Sequence, residues 1–263
     1  MITRHRITQR ANDDGVDAAV VERDYVLAHI VAQLHRAALT GGGRLVFKGG
    51  TALRLVHVGE YRYSADLDFS VLDGTSDEAL AALAGVVVAA KDHAGFPLLE
   101  LNTESKPMVQ YIGPLQASKP RELKVDLATD EHVETIEQLG VRPVWDDLPE
   151  SVPFDVYPLG EIAAEKLRCV IQRLQCRDLF DLFQLVENLG VDLADIRPLF
   201  ERKVEAKNLD PDLFPQRFED RLPQYERRWN EEMGEHLPYD PPNFDGVIRI
   251  VRRHLRAAHL LGE

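Results

Sequence analysis

Cysteine is nearly absent from this chain: Cys169 and Cys176 are its two representatives in 263 residues. Seven positions apart on a predicted helix, they lie about two turns from one another, too far for a disulfide. That excludes a disulfide scaffold and, with no histidine cluster beside them, a zinc site. Reduced thiols in a cytoplasmic protein are expected instead. Long apolar runs are missing too. Nothing approaches the roughly 18 consecutive apolar residues of a membrane span, so no transmembrane helix is expected. The basic start Met1-Ile2-Thr3-Arg4-His5-Arg6 has no apolar segment behind it, so no secretory signal is expected either. Internal repeats and low-complexity segments are lacking. Positive charge is scarce: 31 Lys and Arg stand against 44 Asp and Glu, a formal net charge of −13. This argues against a surface coated in nucleic-acid contacts, and an RNA substrate would have to dock on a local basic patch.

What is present is ordinary for a globular protein, with 44% apolar and 29% charged residues. The length allows one sizeable core or two modest ones. One basic patch stands out. In Arg249-Ile250-Val251-Arg252-Arg253-His254-Leu255-Arg256 the arginines fall at i, i+3, i+4 and i+7, which aligns them on one helix face.

The most informative stretch is Lys48-Gly49-Gly50-Thr51-Ala52-Leu53-Arg54, followed by Ser64-Ala65-Asp66-Leu67-Asp68-Phe69. The glycine pair follows the apolar run Leu45-Val46-Phe47, as at a strand-to-helix turn, where backbone N–H groups can approach a phosphate closely. Asp66 and Asp68 alternate with Leu67 and Phe69, the period of a β-strand, so the two carboxylates share one face. Side by side they repel unless a cation lies between them, and hard oxygen ligands suit Mg²⁺. Metal and phosphate together indicate nucleotide chemistry. Ser64 falls on the same predicted face. A second alternating segment, Arg121-Glu122-Leu123-Lys124-Val125-Asp126-Leu127, puts Lys124 and Asp126 on one strand face. Asp130 and Glu131 lie just beyond it.

Periodicity predicts a helix over 17–39, closed by the triplet Gly41-Gly42-Gly43. A strand at 45–48, a short helix to 58, a strand at 65–72 and a helix from a cap at Thr75 to about 94 follow. Strands are expected at 97–102, 108–112 and 122–128. The proline-rich 140–158 reads as an irregular excursion and hinge. Helices are expected at 160–175, 177–189, 193–207, 213–233 and 243–260. The expected class is therefore α+β: a mixed sheet flanked by helices over 1–158, then an all-helical lobe over 159–263. On the first helix of that lobe Lys166 shares a side with Ile162, Ala163, Val170 and Leu174, so it needs anionic partners, either nucleotide phosphates or Glu165 or Asp181. Arg177, Asp178 and Asp181 sit at helical spacing on the next helix.

The segment 47–69 resembles the core motif of the DNA polymerase β type nucleotidyltransferases, in which a glycine-rich turn precedes a D-x-[DE] on a strand. More narrowly, K-G-G-T-A-L-R followed by R-x-S-x-D-L-D-F is similar to the AbiEii/AbiGii toxin family, which includes the MenT-type toxins. Lys166 resembles that family's third motif and Arg177-Asp178-Leu179-Phe180-Asp181 its fourth; the likeness spans about residues 20–190. The resemblance implies a polymerase β-like lobe. It also implies a toxin of a toxin–antitoxin pair that transfers NMP from an NTP to RNA, at the 3′ end of tRNA, and so blocks translation. It implies Mg²⁺ held by Asp66, Asp68 and Asp126, and catalytic roles for Asp66, Asp68, Lys166 and Asp181. The nucleotide would be bound by Lys48, Gly49, Gly50, Thr51 and Ser64. A cognate antitoxin is the implied protein partner, and Ser64 an expected point of inactivation by phosphorylation. Two other readings share the sequence: an enzyme that modifies a small molecule such as an antibiotic, favoured by the acidic net charge, and a non-catalytic binding module.

Overall fold

The computed structural model describes residues 1–40 and 44–262. The glycine triplet expected to end the second helix lies outside the described residues. The chain divides into two compact units, Met1–Thr129 with Ile136–Tyr157, and Asp130–Thr135 with the residues from Pro158 onward.

The first unit is built on a mixed sheet of seven strands among the described residues: β1 Arg44–Lys48, β2 Asp66–Leu72, β3 Leu98–Asn102, β4 Met108–Ile112, β5 Arg121–Ala128, β6 Glu137–Leu139 and β7 Phe154–Val156. Their order is β3-β4-β5-β2-β1-β7-β6. β2 runs antiparallel to β1 and parallel to β5, and β1 runs parallel to β7. Helices α1 (Arg4–Asp14), α2 (Ala18–Val31) and α4 (Ser76–Ala94) accompany the sheet, with the short α3 (Gly49–Ala52) running on into a single π turn at Leu53–Val58. The alternation read from the sequence holds in burial. Phe47, Leu67, Phe69, Leu123 and Val125 are buried, and the Phe47 and Phe69 rings meet across the strands at a 45° tilt, their centroids 5.5 Å apart. Thr75 and Glu78 form a capping box at the start of α4, each satisfying the other's backbone N–H.

Two expectations need correction, and helix α1 is an addition to them. The helix of 17–39 stops at Val31, and a 3-10 turn occupies Leu34–Thr40. The region 140–158 is not wholly irregular, because β7 lies within it. A three-residue strand is too short to show a period, and β7 is held by a distant partner: Tyr157 N–H donates to Phe47 O at 2.9 Å. Helix α1 has only Ile7 and Ala11 buried, too sparse a stripe to announce itself.

The second unit is helical: α5 (Leu159–Gln172), α6 (Cys176–Glu187), α7 (Leu193–Ala206), α8 (Phe214–Gly234) and α9 (Phe244–Ala257). Its core follows the 3.6-residue period, as in the α8 stripe Phe214, Phe218, Leu222, Tyr225, Trp229 and Met233. Fully buried Lys203 is neutralised by Glu161 at 2.7 Å, and its ammonium also donates to His132 O at 2.6 Å. Glu161 in turn accepts the backbone N–H groups of Glu134 and Thr135 at 2.7 and 2.9 Å, which fastens Asp130–Thr135 to this unit. The α+β class expected from the sequence is what the structure shows.

The arginine that ends the glycine motif carries the strongest polar anchor of the first unit. Buried Arg54 binds Asp24 of α2 through two nitrogens, donates to Tyr61 O and lies 3.9 Å over the Tyr63 ring. Arg54→Met would leave Asp24 buried without its cation, a loss of about 3–5 kcal/mol. Urea unfolding should show that shift, with part of it recovered in the Asp24→Asn/Arg54→Met double variant. A single-variant loss under about 1 kcal/mol, the scale of an exposed pair, would contradict the assignment.

Candidate active site

Strand register assembles the predicted acids in the first unit. Lys48 of β1 pairs with Asp68 of β2, and Asp68 pairs with Asp126 of β5. In-register neighbours project to the same face, so Lys48, Asp68 and Asp126 form a row across three strands. One step away, Asp66 pairs with Lys124 in the same manner. Asp66 and Asp68 are half-buried and Asp126 is exposed, which leaves their carboxylates within reach of a ligand. The Lys124 ammonium is ion-paired with Asp126.

The glycine turn lies directly against this row. Gly49 adopts φ +79°, and a Cβ there would collide with the Asp68 carboxylate. A Cβ on Gly50 would strike the Arg62 guanidinium and come within 3.2 Å of the Ser64 hydroxyl. Thr51 closes the turn onto the strand, its hydroxyl donating to Asp66 O at 2.6 Å and lying 2.9 Å from Ser64 Oγ. Lys48 is buried, with its ammonium 5.6 Å over the Tyr157 ring, and the Tyr157 hydroxyl meets Ser70 Oγ at 2.7 Å. Ser64 departs from expectation. It precedes β2 instead of belonging to it, and at 7% exposure it is enclosed, so a modifying enzyme reaches its hydroxyl only if the turn opens.

Among the described residues, no three Asp, Glu, His or Cys side chains converge into a ready-made metal cluster. The donor set nevertheless fits Mg²⁺: Asp66, Asp68 and Asp126 are hard carboxylates on one accessible face of adjacent strands, and the chain supplies no soft ligand there. Asp130 and Glu131, the alternative third acids, belong to the second unit, where they bind Lys207, and Glu131 also binds Arg168.

Lys166 and Asp181 lie in the second unit. The Lys166 ammonium is 2.7 Å from both Asp178 Oδ1 and Asp181 Oδ2, and both acids are fully buried. Arg173 clasps Asp178 from the other side at 2.8 and 3.1 Å. Burial pushes the Asp178 carboxyl up, but Lys166 and Arg173 outweigh it and hold the group far below the usual carboxylate range. Sequence reasoning missed the weight of Asp178, which reads as an ordinary first-turn acid. Leu174, expected beside Lys166 on the helix, lies beyond the end of α5. Cys169 and Cys176 are free and buried, and burial pushes their thiols up to about 11 and 12, which leaves both unreactive. Of the basic face on α9, Arg252 is bound to Glu219 and Arg253 to Glu187 at 2.5 Å.

Two measurements follow from these contacts. Gly49→Ala forces an L-residue into a left-handed conformation and against Asp68, so it should cost about 1–3 kcal/mol or more in chemical denaturation; a neutral substitution would refute the contact. Asp178 has a folded pKa below its ordinary value of 3.8, so its contribution is complete above that pH and drains away as pH falls below it. Asp178→Asn should therefore be less stable at pH 7 and show a flatter loss of stability in acid. Parallel acid arms for the two proteins would show that the carboxyl is not depressed.

Comparison with known proteins places the chain. The family model for the nucleotidyl transferase AbiEii toxin, type IV TA system, matches residues 34–250. Among solved structures the fold is similar to MenT4, a nucleotidyltransferase toxin from Mycobacterium tuberculosis H37Rv. That match has a TM-score of 0.74 and 23% identity, and covers 98% of this chain and 90% of that one. It is also similar to a protein from H. pylori described as a nucleotidyltransferase, with a TM-score of 0.56, 18% identity and coverage of 93% and 96%. No curated protein matches it in sequence. The chain belongs to the AbiEii family of nucleotidyltransferase toxins from type IV toxin–antitoxin systems.

Proposed function

We propose that the chain transfers a nucleoside monophosphate from an NTP to the 3′ end of an RNA, with tRNA as the acceptor, in the cytoplasm and under the control of a cognate antitoxin. The observation that carries this reading is the row Lys48, Asp68 and Asp126 with Asp66 beside it, backed by the glycine turn. No helix among the described residues is long and apolar enough to cross a membrane.

The residues divide the work. Asp66, Asp68 and Asp126 would hold Mg²⁺, whose chemistry is to neutralise charge on the transferring phosphoryl group and to lower the pKa of the attacking hydroxyl. The Gly49-Gly50 turn brings backbone close to the row where no side chain fits, and Lys48 places a cation beside it for the triphosphate. Thr51 and Ser64 serve this turn through their mutual contact and the Thr51 bond to Asp66 O. Lys166 and Asp181 are proposed as the catalytic pair implied by the family, bound tightly enough to act as one unit. The acceptor hydroxyl attacks the α-phosphorus and pyrophosphate leaves, so positioning and electrostatics supply most of the rate. Arg252 and Arg253 are paired with glutamates, and Arg249 and Arg256 are the exposed arginines of the α9 face outside those two ion pairs, the face proposed for RNA phosphates. The same pairing and the net charge of −13 favour the second reading, a small cationic acceptor.

The test is direct: the protein is incubated with Mg²⁺, each α-labelled NTP in turn, and either total tRNA or an aminoglycoside. Label should appear on RNA. It should fall by about 10²–10³-fold in Asp66→Asn, the scale of removing one electrostatic stabiliser, and vanish with a chelator. Label on the aminoglycoside alone would replace the RNA reading, and full activity of Asp66→Asn would end the metal assignment.

A further inference from the structure

Lys124 shares the acidic face with Asp66, Asp68 and Asp126. Its Cα pairs with Asp66, one step along the strands from the Asp68–Asp126 pair. Period-two alternation turns it to the same face as all three acids. Its ammonium is bound to Asp126 Oδ2, two residues ahead on the same strand, and the two side chains are 48% and 50% exposed. Asp126 is thus held along its own strand, and no ready-made cluster of three ligands forms among the described residues.

We infer that Lys124 is an internal counter-ion that a divalent cation must displace from Asp126, so that this lysine sets the metal affinity of the site. The inference rests on the metal reading proposed above. Half-exposed pairs of this kind are weakly held, so the ammonium swings out to solvent at little cost. It stays tethered to the strand. At a separation of about 6 Å in a water-like dielectric, a dication and a unit positive charge repel by an amount that lowers affinity roughly ten-fold. Three carboxylates without Lys124 would bind a divalent cation in the absence of nucleotide more tightly than this face does. The site is therefore tuned to fill when the cation arrives together with a nucleotide anion.

Mn²⁺ binding to the full chain without nucleotide, followed by the EPR signal of free Mn²⁺, tests this apart from activity. Lys124→Met, which keeps the stem and removes the charge, should bind Mn²⁺ about ten-fold more tightly. Lys124→Arg, which keeps the charge, should stay close to wild type. Asp68→Asn and Asp126→Asn should weaken binding. If both asparagine variants weaken binding while Lys124→Met matches wild type, the counter-ion role is overturned and the metal reading stands. If neither asparagine variant changes Mn²⁺ affinity, the metal reading falls and the role of Lys124 with it. Unfolding midpoints of the variants, expected to match wild type at this half-exposed position, confirm that a folded protein is being compared.

Discussion

The closeness of Gly49 to Asp68 is the constraint on which the rest of the first unit turns. A left-handed residue without a Cβ lets the backbone of the turn lie against a carboxylate. Once the turn is that close, Thr51 reaches Asp66 O, and Gly50 leaves room for Arg62 and Ser64. The short helix that follows delivers Arg54 to Asp24 of α2. Turn, strand and helix are thereby tied in one polar chain that begins at the acid row. The motif is a packing solution as much as a chemical one, and its glycines are required even before a phosphate is considered.

Charge is handled differently on the sheet face and in the helical core. On the sheet face, lysines and aspartates alternate across strands, Lys48 against Asp68 and Lys124 against Asp66; Lys48 is buried, and the other three are half-buried or exposed. Such a surface tolerates exchange of its counter-ions, because water pays for most of the charge. In the helical unit Lys166 and Lys203 are buried with their carboxylates at hydrogen-bond distance, and removal of either partner would strand an ion in a poor solvent. The Asp178 carboxyl, gripped by Lys166 and Arg173 together, shows how far the pairing outweighs burial. The sheet face offers a replaceable ion pair in Lys124–Asp126, whereas the buried pairs of the helical core, like Arg54–Asp24 in the first unit, are fixed.

Much of this was legible in the residues. Asp66-Leu67-Asp68-Phe69 and Lys124-Val125-Asp126 each declare a two-sided strand, and the structure keeps both alternations. The α+β order was visible in the change of period near Gly160. What periodicity does not contain is pairing. Nothing local to β5 says that Asp126 stands opposite Asp68, or that β7 docks beside β1, since both depend on contacts between residues far apart in sequence. The family resemblance, not the spacing, singled out Asp126 as the third acid. Asp178 was passed over for a related reason: its second cation, Arg173, lies on the non-helical turn between α5 and α6, where helical spacing has no reach. Ser64 shares the alternation of Asp66 and Asp68, but β2 begins only at Asp66, and the Ser64 hydroxyl meets that of Thr51.

The overall charge sharpens the role of the lysines. A chain of net charge −13 repels a nucleoside triphosphate at long range, though screening confines that repulsion to about 10 Å at ordinary ionic strength. Within that distance the local pattern decides. Three aspartates against Lys48 and Lys124 leave the face nearly balanced, so neither a bare cation nor a bare triphosphate is strongly drawn to it. A cation–nucleotide pair would bring both signs at once: the carboxylates would meet the cation, and Lys48 and the Lys124 released from Asp126 would face the phosphates. On the proposed reading, an acidic protein can thus select the complexed nucleotide through a row of alternating charges, with no large basic surface.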